Sequence, residues 1–192
     1  MSVEEEKKVF LENEAWRLSI QGAFQRAYIY GENVSEGDRK KFRKHLNEKM
    51  QEVAGHYKKG TLCDHKDGYI GILREFQKEV KQNTMCKAVL RNESITLGVV
   101  QKLVNLYLKY LWCFDQAENP PPHCPFDAVV IKALKARIKV LDKKNQKQPC
   151  WTKLQTTEEY QMLVKAAESE SQAKEFSSIA EWELRTFNEN RN

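Results

Sequence analysis

The residues best suited to chemistry are a lysine and an aspartate near the starts of two predicted helices. Lys102 lies early in an apolar segment at 96–114, and Asp127 stands two residues after Pro125, just before a second apolar pattern. A helix N-terminus and partial burial both disfavour a charged lysine, which makes its amine a better nucleophile. The same position favours an anionic aspartate, which suits Asp127 to stabilise a developing positive charge.

Both residues also have ordinary structural explanations. An aspartate that follows a proline loop and precedes an apolar helix is a typical helix N-cap. A lysine on the polar side of a helix commonly points to water or contacts a phosphate. From the residues alone, these explanations weigh at least as much as the catalytic ones.

Two runs flank the proline-rich loop: Leu97-Gly98-Val99-Val100-Gln101-Lys102 and Pro125-Phe126-Asp127. Over residues 94–134 this order resembles the core of the helix-hairpin-helix DNA glycosylases, particularly the 8-oxoguanine type. In that family a hairpin of the form Leu-x-Gly-Val-Gly precedes a nucleophilic lysine, and a loop rich in glycine and proline leads to an essential aspartate. Val100 stands at the second hairpin glycine, and the interval between the lysine and the aspartate is longer here.

The resemblance implies an all-α, helix-hairpin-helix glycosylase-like protein that removes a modified base from duplex DNA without a cofactor or a metal. Asp127 would be the essential carboxylate, and Lys102 the nucleophile or a cation that contacts the sugar. The family suggests oxidised purines as substrates. The chain also looks like phage-defence glycosylases that act on glucosylated hydroxymethylcytosine. A Schiff base on Lys102 would add strand cleavage to base removal.

A glycosylase holds the rotated base against aromatic or polar walls, and it binds the DNA backbone through cations. The side chains predicted for the base pocket are Asn105, Trp112, Phe114, His123 and Trp182. The hairpin residues Gly98 and Val100 are predicted to grip the backbone. A row of lysines beyond Asp127 is predicted to meet the phosphates, although such a row is equally typical of a solvated helix face: Lys132, Lys135, Lys139, Lys143 and Lys144.

Helices must position all of these residues, because apolar side chains recur at intervals of three and four along most of the chain. The helix at 96–114 has the strongest pattern, with Lys102, Asn105 and Lys109 on its polar side. The same periodicity predicts one long helix or two short ones at 3–30, helices at 35–57, 69–80 and 126–141, one that begins at 157, and one at 178–187. We therefore expect one compact helical domain over residues 1–192.

Composition favours a helical globular protein. Hydrophobic residues make up 41% of the chain and charged residues 31%, and 8 glycines and 5 prolines are too few for an all-β or disordered chain. The apolar runs are shorter than a membrane span. Cysteines without CxxC spacing and the lack of a secretory leader favour a reduced, cytoplasmic protein, which we expect to be a monomer. A net charge of +5 is compatible with DNA as a partner.

Other functional classes stay open. A non-catalytic helical module that binds nucleic acid or protein through its basic face predicts that Lys102 and Asp127 lie apart or face solvent. An RNA-processing or toxin-like enzyme that uses His123 requires a second acid or base near that loop. Neither Cys63 with His65 nor His123 with Cys124 has the usual spacing of metal ligands. The distance between the two side chains of the Lys–Asp pair distinguishes the first alternative from a glycosylase.

Overall fold

The structure is a computed structural model, and it describes residues 1–62, 68–141 and 149–190. The described residues form an all-α fold, which confirms the predicted class, and Tyr30 and Leu90 form an isolated β-bridge. The α-helices are α1 (Val3–Phe24), α2 (Glu36–Lys58), α3 (Gly68–Gln82), α4 (Thr84–Val89), α5 (Leu97–Cys113), α6 (Ala128–Ala133), α7 (Lys135–Leu141), α8 (Thr157–Ala173) and α9 (Ile179–Glu189). Two short 3-10 turns cover Arg91–Glu93 and Trp151–Lys153.

Helix α5 is at the centre of the fold. It begins at Thr96, whose side chain accepts the Val99 N–H, and its apolar side chains are enclosed on several faces. Helix α1 packs against it so closely that a Cβ added to Gly22 would lie 2.8 Å from the Leu106 Cδ1 atom. A side chain at this position would require the end of the Leu106 side chain to move.

Most predicted helix starts agree with the structure, because a side chain caps each of them. Ser35, Thr156 and Ser178 accept backbone N–H groups at the starts of α2, α8 and α9. Helix α1 ends at Phe24, earlier than the predicted 30. The helix predicted at 126–141 is two helices, because the backbone turns at Leu134. The apolar pattern continues through this turn, so periodicity alone does not reveal the break.

No helix in the described ranges is both long enough and apolar enough to cross a membrane.

Candidate functional site

Lys102 and Asp127 lie beside each other. The Lys102 Nζ atom is 3.6 Å from Asp127 Oδ2, and the two side chains are 12% and 24% exposed. The other carboxylate oxygen, Oδ1, accepts the N–H groups of Val129 and Val130 at 2.9 and 3.2 Å, so that Asp127 also caps α6. Asp127 can therefore be both an N-cap and a partner of Lys102, because one carboxylate oxygen caps α6 and the other faces the amine.

Opposing features of the environment set the protonation of Lys102. Its Nζ atom lies 4.3 Å from the centre of the Trp151 ring, in the 3-10 turn Trp151–Lys153. Burial lowers the pKa of Lys102 below the ordinary lysine value; the nearby Asp127 raises the pKa in part, and Arg26 lowers it. A larger fraction of this amine is therefore neutral at a given pH than for an exposed lysine. The sequence did not predict Trp151 as part of the site, since nothing in its local sequence shows that it packs on α5.

Asn105 lies in the core, so its prediction as a base contact is wrong. The side chain has no exposed surface, and its amide is fully used in internal hydrogen bonds. Tyr69 donates to Asn105 Oδ1 at 2.5 Å, and Asn105 Nδ2 donates to Gln101 Oε1 and to the Tyr160 hydroxyl, both at 3.2 Å. A base could reach this amide only by breaking a satisfied buried network.

His123 is partly buried in the proline-rich loop that leads to Asp127. Its Nδ1 atom lies 2.8 Å from the Tyr160 hydroxyl, and its ring meets Tyr69 edge-on, with 4.8 Å between ring centres. The Tyr160 oxygen also accepts from Asn105 Nδ2, and the tautomer of the imidazole decides which group donates in the bond between Tyr160 and His123. Burial lowers the pKa of His123 to about 4, which agrees with a neutral imidazole. His123 remains a candidate for the base pocket.

The other predicted pocket residues differ in burial. Trp182 is only 1% exposed and belongs to the core, so its prediction is wrong. Trp112 and Phe114 are partly exposed near the end of α5. Phe114 stacks on Tyr110, with 6.0 Å between ring centres. The assignment of Trp112 and Phe114 to a base pocket stays a prediction.

Gly98 and Val100 are not available to DNA, which corrects their assignment as hairpin contacts. Val100 has no exposed surface. The Gly98 N–H donates to the Leu154 carbonyl at 3.0 Å, and a Cβ at this position would lie 1.6 Å from the Trp151 carbonyl oxygen. Gly98 is therefore needed for the close approach of the Trp151–Lys153 turn, and this turn carries the ring beneath Lys102.

The lysines beyond Asp127 lie on the surface where the structure describes them, and their contact with DNA stays a prediction. Lys132, Lys135 and Lys139 are exposed on α6 and α7. Lys143 and Lys144 lie outside the described residues, as do Cys63 and His65. Three exposed cations thus follow the candidate site along the chain, and they are free to meet a polyanion.

A second buried ion pair lies on the same helix as Lys102. Lys109 Nζ is 2.6 Å from Glu183 Oε2, and the side chains are 8% and 2% exposed. Burial raises the pKa of Glu183, the adjacent Lys109 lowers it in part, and the negative charge of Asp127 raises it. Helix α9 turns Glu183 inward. Its partner is 74 residues away in sequence, so no local pattern indicates the pair.

The described chain also holds an apolar cavity, which the Lys102–Asp127 pair does not line. In the part of the chain that the structure describes, no group of three or more His, Cys, Asp or Glu side chains could hold a metal ion. An apolar cavity of about 430 Å³ between α2 and α3 is lined by residues that include Val53, Leu62 and Phe76, and by neither Lys102 nor Asp127.

The chain matches no model of a known protein family, no curated protein and no solved structure. Any functional assignment therefore has to rest on the residues and geometry of the site itself.

Proposed function

We propose that this protein is a DNA glycosylase of the helix-hairpin-helix type that removes a modified base from duplex DNA. The observation that carries the proposal is the partly buried Lys102–Asp127 pair, with 3.6 Å between Nζ and Oδ2. A non-catalytic module predicts that these side chains lie apart or face solvent. Instead an amine with a lowered pKa lies against a carboxylate, which is the arrangement that attack on a sugar carbon requires.

The proposed reaction breaks the bond between C1′ of the sugar and the base nitrogen. The base leaves with the bonding electron pair and takes a proton from solvent, while positive charge develops on the sugar. Asp127 stabilises this charge. The lone pair of Lys102 Nζ then bonds to C1′, and Asp127 or water accepts the amine proton. When water attacks C1′ instead, Asp127 accepts the proton of the water, and Lys102 contacts the sugar.

The exposed lysines of α6 and α7 support DNA as the partner. They lie directly after Asp127 in the chain, so a backbone bound along them brings a sugar towards the pair. Oxidised purines and glucosylated hydroxymethylcytosine are the two substrate classes that we propose to test first.

Formation of abasic sites tests the proposal directly. The protein is incubated with duplexes that carry single damaged bases, and with unmodified, hydroxymethylated and glucosylated phage DNA. Base release on one of these substrates is expected from the wild type and not from Asp127→Asn. The asparagine oxygen can still cap α6, so this variant removes the charge and keeps the fold. Asp127→Ala removes both and is expected to cost about 1 kcal/mol of stability.

Trapping with borohydride separates the two roles of Lys102. A covalent protein–DNA adduct that forms with the wild type and not with Lys102→Arg identifies the nucleophile, because arginine keeps the cation but has no reactive amine. Base release without trapping assigns Lys102 to contact with the sugar. Base release that persists in Asp127→Asn would overturn the role proposed for Asp127. The absence of base release on every DNA in the panel would favour the non-catalytic binding module, in which Asp127 serves as an N-cap.

A further inference from the structure

The side chain of Gln101 joins α5 to the end of the proline-rich loop. Its Nε2 atom donates to the carbonyls of Gly98 and Phe126, each at 2.9 Å, and its Oε1 atom accepts the Phe126 N–H at 3.1 Å. Neither Gln101 nor Phe126 has any exposed surface. One amide therefore bonds both backbone groups of a single loop residue, as a neighbouring β-strand would.

The chemistry of the partners fixes the orientation of this amide. A backbone N–H can only donate and a carbonyl can only accept, so Oε1 must face the Phe126 N–H, and Nε2 must face the two carbonyls. Asn105 gives Oε1 a further donor at 3.2 Å. Glutamate at this position would lack the donors, and methionine would lack both kinds of group.

The two hydrogen bonds between the Gln101 amide and the Phe126 backbone form a clamp, which lies directly beside the candidate site. Gln101 precedes Lys102 in the chain, and Phe126 precedes Asp127. A shift of the Phe126 backbone would therefore carry the Asp127 carboxylate with it. The loop is also held earlier, where Tyr57 donates to the Asn119 carbonyl and where Tyr160 meets His123. These contacts hold the loop at Asn119 and His123. The backbone directly before α6 is held at Phe126.

We infer that Gln101 is a positioning residue, and that its clamp on Phe126 holds the Asp127 carboxylate against the Lys102 amine. The catalytic consequence of this inference rests on the proposed function, while its geometric consequence does not. Loss of the clamp lets Asp127 move away from Lys102. Because Gln101 is fully buried and cannot touch a substrate, its loss is expected to lower kcat roughly tenfold or more and to leave KM nearly unchanged.

The protonation of Lys102 shows whether Asp127 still lies beside it. The carboxylate raises the pKa of this amine against the effect of burial, so its departure lowers the pKa further. We would label the lysines by reductive methylation with ¹³C-formaldehyde, follow them by NMR as a function of pH, and assign the Lys102 signal with Lys102→Arg. We expect Gln101→Met and Asp127→Asn each to lower the pKa of Lys102, and the double variant to lower it no further than Asp127→Asn alone.

Gln77→Met is the matched control. Gln77 is also a buried glutamine that donates to a backbone carbonyl, that of Ile95 at 2.9 Å, but it lies on α3. This control should leave the pKa of Lys102 unchanged. An unchanged or raised pKa in Gln101→Met, shown to be folded by circular dichroism, would overturn the inference.

A measurement on the wild type covers the case in which Gln101→Met does not fold. The clamp predicts that the Phe126 amide hydrogen exchanges slowly with solvent, because it is buried and bonded to Oε1. Rapid exchange of this amide would contradict the clamp. If no DNA supports base release, the proposed function fails, and the pKa comparison and the amide exchange still decide the role of Gln101.

Discussion

Asp127 shows how one residue can serve structure and chemistry together. Its Oδ1 atom is committed to the first N–H groups of α6, and this commitment holds Oδ2 towards Lys102. A capping residue is among the most precisely held polar groups on a helix, because two backbone donors fix its rotamer. An aspartate that looks like an ordinary N-cap in the sequence can therefore still be catalytic.

His123 gives the first prediction, which concerns the dependence of stability on pH. Its pKa is about 4 in the folded protein and 6.5 ordinarily, so between these values the unfolded chain binds a proton that the folded chain does not. The free energy of unfolding should thus fall as pH decreases from 6.5 to 4, by roughly 2 kcal/mol once the partial exposure of the ring is allowed for. Urea denaturation at several pH values measures this change.

His123→Asn is the comparison for that measurement. The Asn side chain can either donate to or accept from the Tyr160 hydroxyl, yet it has no ionisation in this range. In the variant, the free energy of unfolding should change less between pH 6.5 and 4, because the contribution of His123 is absent. An equal change in the wild type and the variant would show that His123 has an ordinary pKa.

At the scale of elements, the approach of the Trp151–Lys153 turn to α5 gives the second prediction. Gly98→Ala places a Cβ where the Trp151 carbonyl oxygen lies, at 1.6 Å, so the turn must move. We expect a loss of about 2 kcal/mol or more in the free energy of unfolding, together with a weaker contact of Trp151 with Lys102. Thermal and urea denaturation measure the loss.

Gly55→Ala is the matched control on α2. A Cβ at Gly55 meets nothing within 4 Å, so the substitution should stabilise the protein by roughly 0.5–1 kcal/mol through helix propensity. If Gly98→Ala were as stable as Gly55→Ala, this result would contradict the close packing of the Trp151–Lys153 turn on α5.

The third prediction concerns the ion pair that joins α5 to α9. Removal of one partner, as in Lys109→Met, leaves Glu183 buried without its cation and should cost about 3–5 kcal/mol. The double variant Lys109→Met, Glu183→Met should recover most of this loss, because two apolar side chains can pack without a desolvation cost. Urea denaturation of the single and double variants provides the comparison. A single variant as stable as the wild type would mean that water reaches the pair.

Helix positions were largely predictable from the sequence, whereas the roles of polar residues on the helices were not. The apolar spacing and the capping residues are local signals, which can be recognised without knowing which segments pack together. The capping residues are Ser35, Thr96, Thr156 and Ser178. The polar side of α5 was expected to include solvent-facing groups. In the structure it is covered, and Asn105 and Lys109 find partners on α8 and α9. Such pairings depend on contacts between distant segments, which a single sequence does not display.

At the scale of the whole molecule, the chain brings Lys102 and Asp127 together from opposite ends of a long loop. The sequence indicated the pair only through its resemblance to a family core. The partners that complete the site, Gln101 and Trp151, lacked any local signal. Gln101 is one of many glutamines in the chain, and Trp151 is brought to Lys102 only by the tertiary fold.

The fourth prediction concerns the binding of DNA as a function of salt. If the exposed lysines of α6 and α7 neutralise phosphates, each of Lys132→Ala, Lys135→Ala and Lys139→Ala should reduce the slope of log K against log salt by about 0.9. Lys8→Ala removes the same charge from exposed α1 and should leave the slope unchanged. Fluorescence anisotropy with a labelled duplex measures the slopes. Equal slopes for all four variants would place the DNA on another surface.

The indole of Trp151 beneath the Lys102 ammonium group gives the protein an optical reporter of its own. The emission of an indole responds to a charge held over its ring, and here the separation is 4.3 Å. The difference in emission between the wild type and Trp151→Phe, followed as the pH is raised, should therefore change when Lys102 loses its proton. The state of the amine can thus be read in the free protein, before any substrate is known.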